Sequence, residues 1–223
     1  MARAGLEIDP EDVRLWELLG IARHALRDFP GAMEALEQAT VLGPLVPAAE
    51  LALAGCYLVS GREDLARAMY RHLAERPQVA GHLLRSVAAG LLHVGETLWA
   101  VEVQRRYAAE RPDDDDALYA MAHYMGLIEY PLELIRPIAD RAWRLNPASV
   151  RNRVFLALTH HRLGDVQRGY ALLADVDLRV LLEQCCPCRV YGLASLFEAA
   201  GDWARYEACV ARLADLRRRS GVE

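Results

Sequence analysis

The residues best suited to chemistry stand together as Cys185-Cys186-Pro187-Cys188. A C-x2-C pair such as Cys185 and Cys188 at a helix start has two uses. It can hold a soft metal as thiolates, or cycle between dithiol and disulfide, because a helix N-terminus lowers a thiol's pKa. A structural zinc ion needs four ligands. The remaining cysteines are Cys56, far away, and Cys209, expected more than a helical turn from Cys188. No βαβ pattern surrounds the pair, as a redox motif of this spacing requires. The expectation is therefore buried, reduced thiols with no metal and no cofactor. Five cysteines also form no evenly paired disulfide framework, which agrees with a reducing compartment.

Two further clusters invite the same question. Asp113-Asp114-Asp115-Asp116 lacks the alternating ligands, central Gly and terminal Glu of a calcium loop. An N-cap followed by acids that complement the dipole of a helix starting near Ala117 explains it. His160 and His161 are adjacent, so on a helix they diverge by about 100° and do not share a metal easily. No Ser-His-Asp set, H-E-x-x-H or glycine-rich phosphate loop occurs. All 26 basic residues are arginine, which excludes a Schiff-base lysine and a phosphate loop ending in Gly-Lys-Ser/Thr. The net charge of -5 speaks against general nucleic-acid binding. Catalysis has no visible carrier, and the chain is expected not to be an enzyme.

The elements that must position these residues repeat. Interhelical turns begin at Arg27, Gly61, Gly95, Glu129, Gly164 and Gly201, in steps of 34, 34, 34, 35 and 37 residues. A fixed period near 34, with apolar helical segments on both sides of each turn, is the pattern of stacked helical hairpins. The first unit reads Trp16-x2-Leu19-Gly20, then Ala32-x3-Leu36, Ala39 and Pro44. Later units hold Tyr57, Ala66 and Tyr70, then Ala88, Leu91 and Ala100, then Ala122, then Ala157 and Gly169, then Ala194, Phe197 and Tyr206. Small residues let the paired helices approach, and large ones fill the space between.

This pattern resembles the tetratricopeptide repeat (TPR) in six phased units over most of the chain. The resemblance implies an all-α, right-handed superhelical solenoid. Its units are expected at about 13–46, 47–80, 81–114, 115–149, 150–186 and 187–219, as one array. The lengthened fifth step is expected to hold a longer helix or an added turn between Asp175 and Cys188. Residues 1–12 look like the tail of a preceding repeat, with Pro10 34 residues before Pro44. The last helix is expected to turn Trp203, Tyr206, Val210 and Leu213 inward. No segment resembles a signal peptide or membrane span, so the expected location is cytoplasmic.

The resemblance also implies a concave groove, lined by the first helix of each hairpin. By register its residues are Arg14, Glu17 and His24; His82, Arg85 and His93; Tyr119 and His123; Arg151, His161 and Arg162; and Tyr191, Ser195 and Glu198. The second unit adds apolar lining from Leu51 and Leu58. Five of seven histidines fall on this surface. Its arginines suit an acidic or carboxylate-bearing peptide, and its histidines suggest pH sensitivity. Arg85, His123, Arg151 and Arg162 are the expected anchors, with Tyr119 and Tyr191 giving flat contact area. The Lys/Asn clamp of chaperone-binding members is missing: Glu17 and Ile21, Leu51 and Gly55, and Arg85 and Ala89 hold its positions. The reading is a protein-interaction scaffold with protein or peptide partners, no nucleic acid and no membrane. The alternative is a self-associating assembly or secretion-type subunit using its open N-terminal end, as a homo-oligomer. A third is a metal- or thiol-dependent enzyme at the Cys185–Cys188 cluster.

Overall fold

The computed structural model describes residues 9–220; residues 1–8, most of the expected 1–12 remnant, lie outside them. Thirteen helices and no strand occur among the described residues. The chain divides into two compact units, Met1–Glu110 and Arg111–Glu223. The first contains α1 (Val13–Ala25), α2 (Phe29–Leu42), α3 (Pro47–Val59), α4 (Glu63–Glu75), α5 (Gly81–His93) and α6 (Thr97–Glu110), paired as three hairpins. The second contains α7 (Asp115–Leu127), α8 (Leu132–Leu145), α9 (Val150–Arg162), α10 (Val166–Ala171), α11 (Leu178–Gln184), α12 (Pro187–Ala200) and α13 (Trp203–Ser220). No helix among the described residues is long and apolar enough to cross a membrane.

Each repeating turn has one cause. Its first residue adopts a left-handed backbone: Arg27 (φ 62°), Gly61 (76°), Gly95 (77°), Glu129 (54°), Gly164 (84°) and Gly201 (77°). The next residue's N–H then reaches back to a carbonyl in the last helical turn: Asp28 to Arg23, Arg62 to Tyr57, Glu96 to Leu91, Tyr130 to Met125, Asp165 to His160 and Asp202 to Phe197, all at 2.8 to 3.1 Å. This is the Schellman arrangement, which satisfies carbonyls a helix end leaves open. Aspartates then start several helices. The carboxylates of Asp12, Asp28, Asp114, Asp165 and Asp202 accept N–H groups at the starts of α1, α2, α7, α10 and α13.

Packing inside each hairpin rests on small residues. Ala32, Ala35 and Ala39 of α2 are fully buried, and a β-carbon at Gly20 would collide with Leu36. Between neighbouring hairpins the same holds: a β-carbon at Gly90 of α5 would overlap the Tyr70 ring of α4. In the second unit a β-carbon at Gly169 would sit 2.7 Å from the Ala157 carbonyl oxygen, so α9 and α10 approach there nearly backbone to backbone. The core of this unit gathers Val154, Leu173, Leu181, Val190, Leu193, Leu196, Phe197 and Cys209. Burying each large aliphatic or aromatic member contributes about 1.5–3 kcal/mol.

The fifth hairpin departs from the regular pattern. Its second helix stops after six residues as α10, and the seven-residue α11 follows. The extra chain is thus a short added helix. In α13 the inward face is Tyr206, Cys209 and Leu213. Tyr206 and Leu213 face inward as expected, whereas Trp203 is 59% exposed and Val210 44%, and Cys209 takes the inward place expected of Val210. The reason is Cys209, fully buried and small enough to meet α12 closely, which a hydropathy stripe built on larger residues passes over.

Arginines tie successive hairpins together at equivalent places. Arg106 of α6 donates to the carbonyls of Ala74, Arg76 and Pro77 at and just past the end of α4, at 2.7, 3.1 and 3.4 Å. Arg205 of α13 does the same for Leu173, Ala174 and Val176 past α10, at 2.8, 2.8 and 3.4 Å. One planar fork caps up to three open carbonyls, a geometry lysine does not reproduce.

Candidate functional site

The first helices of the second unit's hairpins, α7, α9 and α12, meet the start of α8 around an open cavity of about 280 Å³. Its floor is apolar: Leu127, Leu132, Ile135, Phe155 and Leu158. Its walls carry His123, His161, Arg162, Cys188 and Arg189, and no carboxylate among the described residues lines it. Arg162 is exposed and makes no hydrogen bond or ion pair among the described residues. The cavity therefore combines an apolar seat with an uncompensated cationic rim.

Beside it the side chains hold one another rigidly. Tyr119 is only 8% exposed. The Arg151 guanidinium lies 4.2 Å from its ring centroid, and that of Arg189 lies 5.4 Å away. Arg189 also donates to the Tyr119 hydroxyl, and Arg151 pairs with Asp116. His123 stacks on Tyr119 at 5.9 Å, and the Phe155 edge closes the group at 5.5 Å. Cation–π contacts of this kind strengthen as water is excluded. Burial lowers the pKa of Arg189 and that of His123. His161 Nε2 lies 3.0 Å from Ser195 Oγ, joining α9 to α12.

The structure therefore sorts the residues the register proposed. His123, His161 and Arg162 come together at the cavity, with Tyr119 and Arg151 immediately behind His123. Tyr119 offers no free ring face, because two arginines and an imidazole already cover it. Tyr191 is 71% exposed and lies elsewhere, with Pro187, Leu213 and Leu216 along α12 and α13. Glu198 is exposed on α12.

In the first unit Arg14, His82, Arg85 and His93 are exposed, while Leu51 and Leu58 are half-buried. Glu17 is not groove lining. It is 5% exposed and accepts the Val46 N–H at 2.6 Å, capping the entry to α3. His24 is half-buried against the Phe29 ring and Gly55, and burial lowers its pKa. His24 and His123 are thus held below the value at which pH-sensitive binding was expected of them.

The other clusters have structural duties. Asp113 pairs with Arg141, and Asp114 caps α7. Asp115 accepts from Asn146 and from buried Asn152, the latter at 2.7 Å, and Asp116 holds Arg151. His160 is buried with Nδ1 3.5 Å from Asp165, while its neighbour His161 faces α12. Among the described residues no three His, Cys, Asp or Glu side chains converge to hold a metal ion.

Register reasoning missed Arg189 and Cys188. By register Cys188 is the equivalent of Arg14, His82 and Arg151, so the signal was present. Arg189 stands one place further on, and only the fold shows it turning back across Tyr119.

Neither a protein-family model nor a curated protein sequence matches the chain significantly. Solved structures do. A tetratricopeptide repeat protein from Parabacteroides merdae aligns at TM-score 0.68 and 19% identity, over 91% of this chain and 79% of that one. YrrB, described as a TPR protein with an unusual peptide-binding site, gives 0.66 and 12%, over 79% and 94%. PilF of Pseudomonas aeruginosa gives 0.65 and 13%, over 95% and 93%. With six phased turns, paired helices and these neighbours, the chain has the tetratricopeptide-repeat fold.

Proposed function

We propose that the chain is a non-enzymatic interaction scaffold and that the cavity on α7, α9 and α12 seats a segment of its protein partner. Neighbours of this fold support the scaffold class; the site itself supports the choice of ligand. The observation that carries the reading is an apolar floor beneath a cationic rim without a carboxylate. Such a site suits an apolar side chain of the partner with an acidic group beside it. Leu132, Phe155 and Leu158 take the side chain, and Arg162 takes the carboxylate as a charge-assisted hydrogen bond. Arg189 and His123 are already fixed by Tyr119, so they hold the wall in place without being ordered on binding. On the first unit, Arg14, His82, Arg85 and His93 offer contacts of the same polar kind along α1 and α5.

The test is selection from a displayed library of short peptides with free C-terminal carboxylates. The wild type should enrich sequences with a Leu- or Phe-like residue next to an acidic group. Binding of the winning peptide should weaken at least about tenfold in Arg162→Glu, equivalent to about 1.4 kcal/mol. Equal binding by the variant, or enrichment of basic peptides, would sink the reading.

A further inference from the structure

We propose that Cys186 and Cys188 form a redox-active dithiol, a modification site that exchanges with low-molecular-weight disulfides. Their Sγ atoms lie 2.7 Å apart, and both residues are exposed. A disulfide bond is about 2.05 Å long, so closing it asks for a short approach of the two sulfurs.

The local sequence enforces that approach. Cys186 is the extended N-cap of α12 (φ -65°, ψ 162°), Pro187 is its first residue, and Cys188 is in its first turn. Proline fixes φ near -65° and is preorganised for that position. The two thiols thus converge across a stiff three-residue bend. The pairing differs from the C-x2-C that the sequence suggested. Cys185 is buried, and its thiol is pushed up to about 12, chiefly by burial and then by the neighbouring Cys186 thiol. It therefore stays protonated and inert.

The two exposed thiols have different roles. Cys188 is held above the ordinary thiol range, first by its hydrogen bond with Cys186 and then by burial. Cys186, at the N-cap and outside the cavity lining, is assigned the part of nucleophile, and Cys188 that of resolving thiol. The Cys186 thiolate attacks one sulfur of the small disulfide, forming a mixed disulfide and releasing one thiolate. Cys188 then loses its proton and attacks the Cys186 sulfur, expelling the second thiolate. Two electrons pass from the dithiol to the reagent, which leaves as two thiols. Cys188 also lines the cavity described above, so the exchange happens at its wall.

The full-length reduced protein is treated with oxidised glutathione, and thiols accessible in the native state are counted before and after. The expected count falls from two to none and returns to two with dithiothreitol. The intact mass falls by two hydrogens, and peptide mapping places the bridge between Cys186 and Cys188. In Cys188→Ser, resolution is blocked and a stable glutathione adduct accumulates on Cys186. An unchanged thiol count, adducts that persist on the wild type, or a bridge reaching Cys185 would overturn the proposal. The readout is thiol chemistry alone and needs no ligand in the cavity.

Discussion

Arg27 and Glu129 hold a left-handed backbone that four sister turns assign to glycine. For a residue with a β-carbon this conformation costs roughly 1–2 kcal/mol. Arg27→Gly and Glu129→Gly should therefore each stabilise the chain by about 1 kcal/mol in urea denaturation, a little less once glycine's unfolded-state entropy is counted. Apart from its own chain neighbours, no heavy atom of the described residues lies within 4 Å of a β-carbon built on Gly61, so Gly61→Ala should destabilise through backbone conformation alone. Histidines supply a second effect. Burial holds His24, His123 and His160 below 6.5, and Arg168 adds to this at His160. The unfolded chain then binds more protons than the folded one between the lowered values and 6.5. Stability is thus fully present above that pH and is lost as the pH falls through the lowered values. The urea midpoint should be lower at pH about 5.5 than at about 7.5, and His123→Gln should narrow the gap. An unaltered gap in this variant would assign the loss to other groups. At this scale the sequence was legible in part. His161 and Arg162, grouped by register, both line the cavity. Tyr119 was misjudged because its two guanidinium covers come from Arg151 and Arg189, residues 32 and 70 positions away along the chain.

Helix pairs were the most readable part of the molecule, because a hairpin's demands recur in sequence. A turn needs glycine or a tolerated substitute, and the facing helix needs a small residue where backbones approach. Gly169 is the sharpest instance. Its β-carbon position lies against a backbone oxygen, which has no flexible end to yield. Gly169→Ala should therefore force α9 and α10 apart and destabilise by about 1–3 kcal/mol, more than helix propensity alone would return. The arginine clamps were not legible. Nothing in the composition around Arg106 or Arg205 distinguishes them from other arginines on amphipathic helices. Arg106→Lys should lose most of the three carbonyl bonds and destabilise by about 1–3 kcal/mol, measured by chemical denaturation. The dithiol was misread for a related reason. The sequence offers a C-x2-C, but the bend at Pro187 selects the C-x-C pair and leaves Cys185 in the core.

For the whole molecule, the division at Glu110 gives a direct experiment. The proposed cavity is built entirely by residues of Arg111–Glu223. A fragment of that span should give a helical circular-dichroism spectrum with a cooperative melt, and should bind the selected peptide as the full chain does. Loss of binding in a folded fragment would locate essential contacts in Met1–Glu110. The paired clamps bear on how such a chain is made. The carbonyls that close α4 find their donor in Arg106, 32 residues downstream of Ala74, and Leu173 waits the same distance for Arg205. On the ribosome each of these hairpins therefore leaves the exit tunnel with an unfinished end, sealed only when the next hairpin's second helix emerges. Assembly within each unit is directional in time, and a translational pause that holds either arginine inside the tunnel would leave the preceding hairpin's end without its donor.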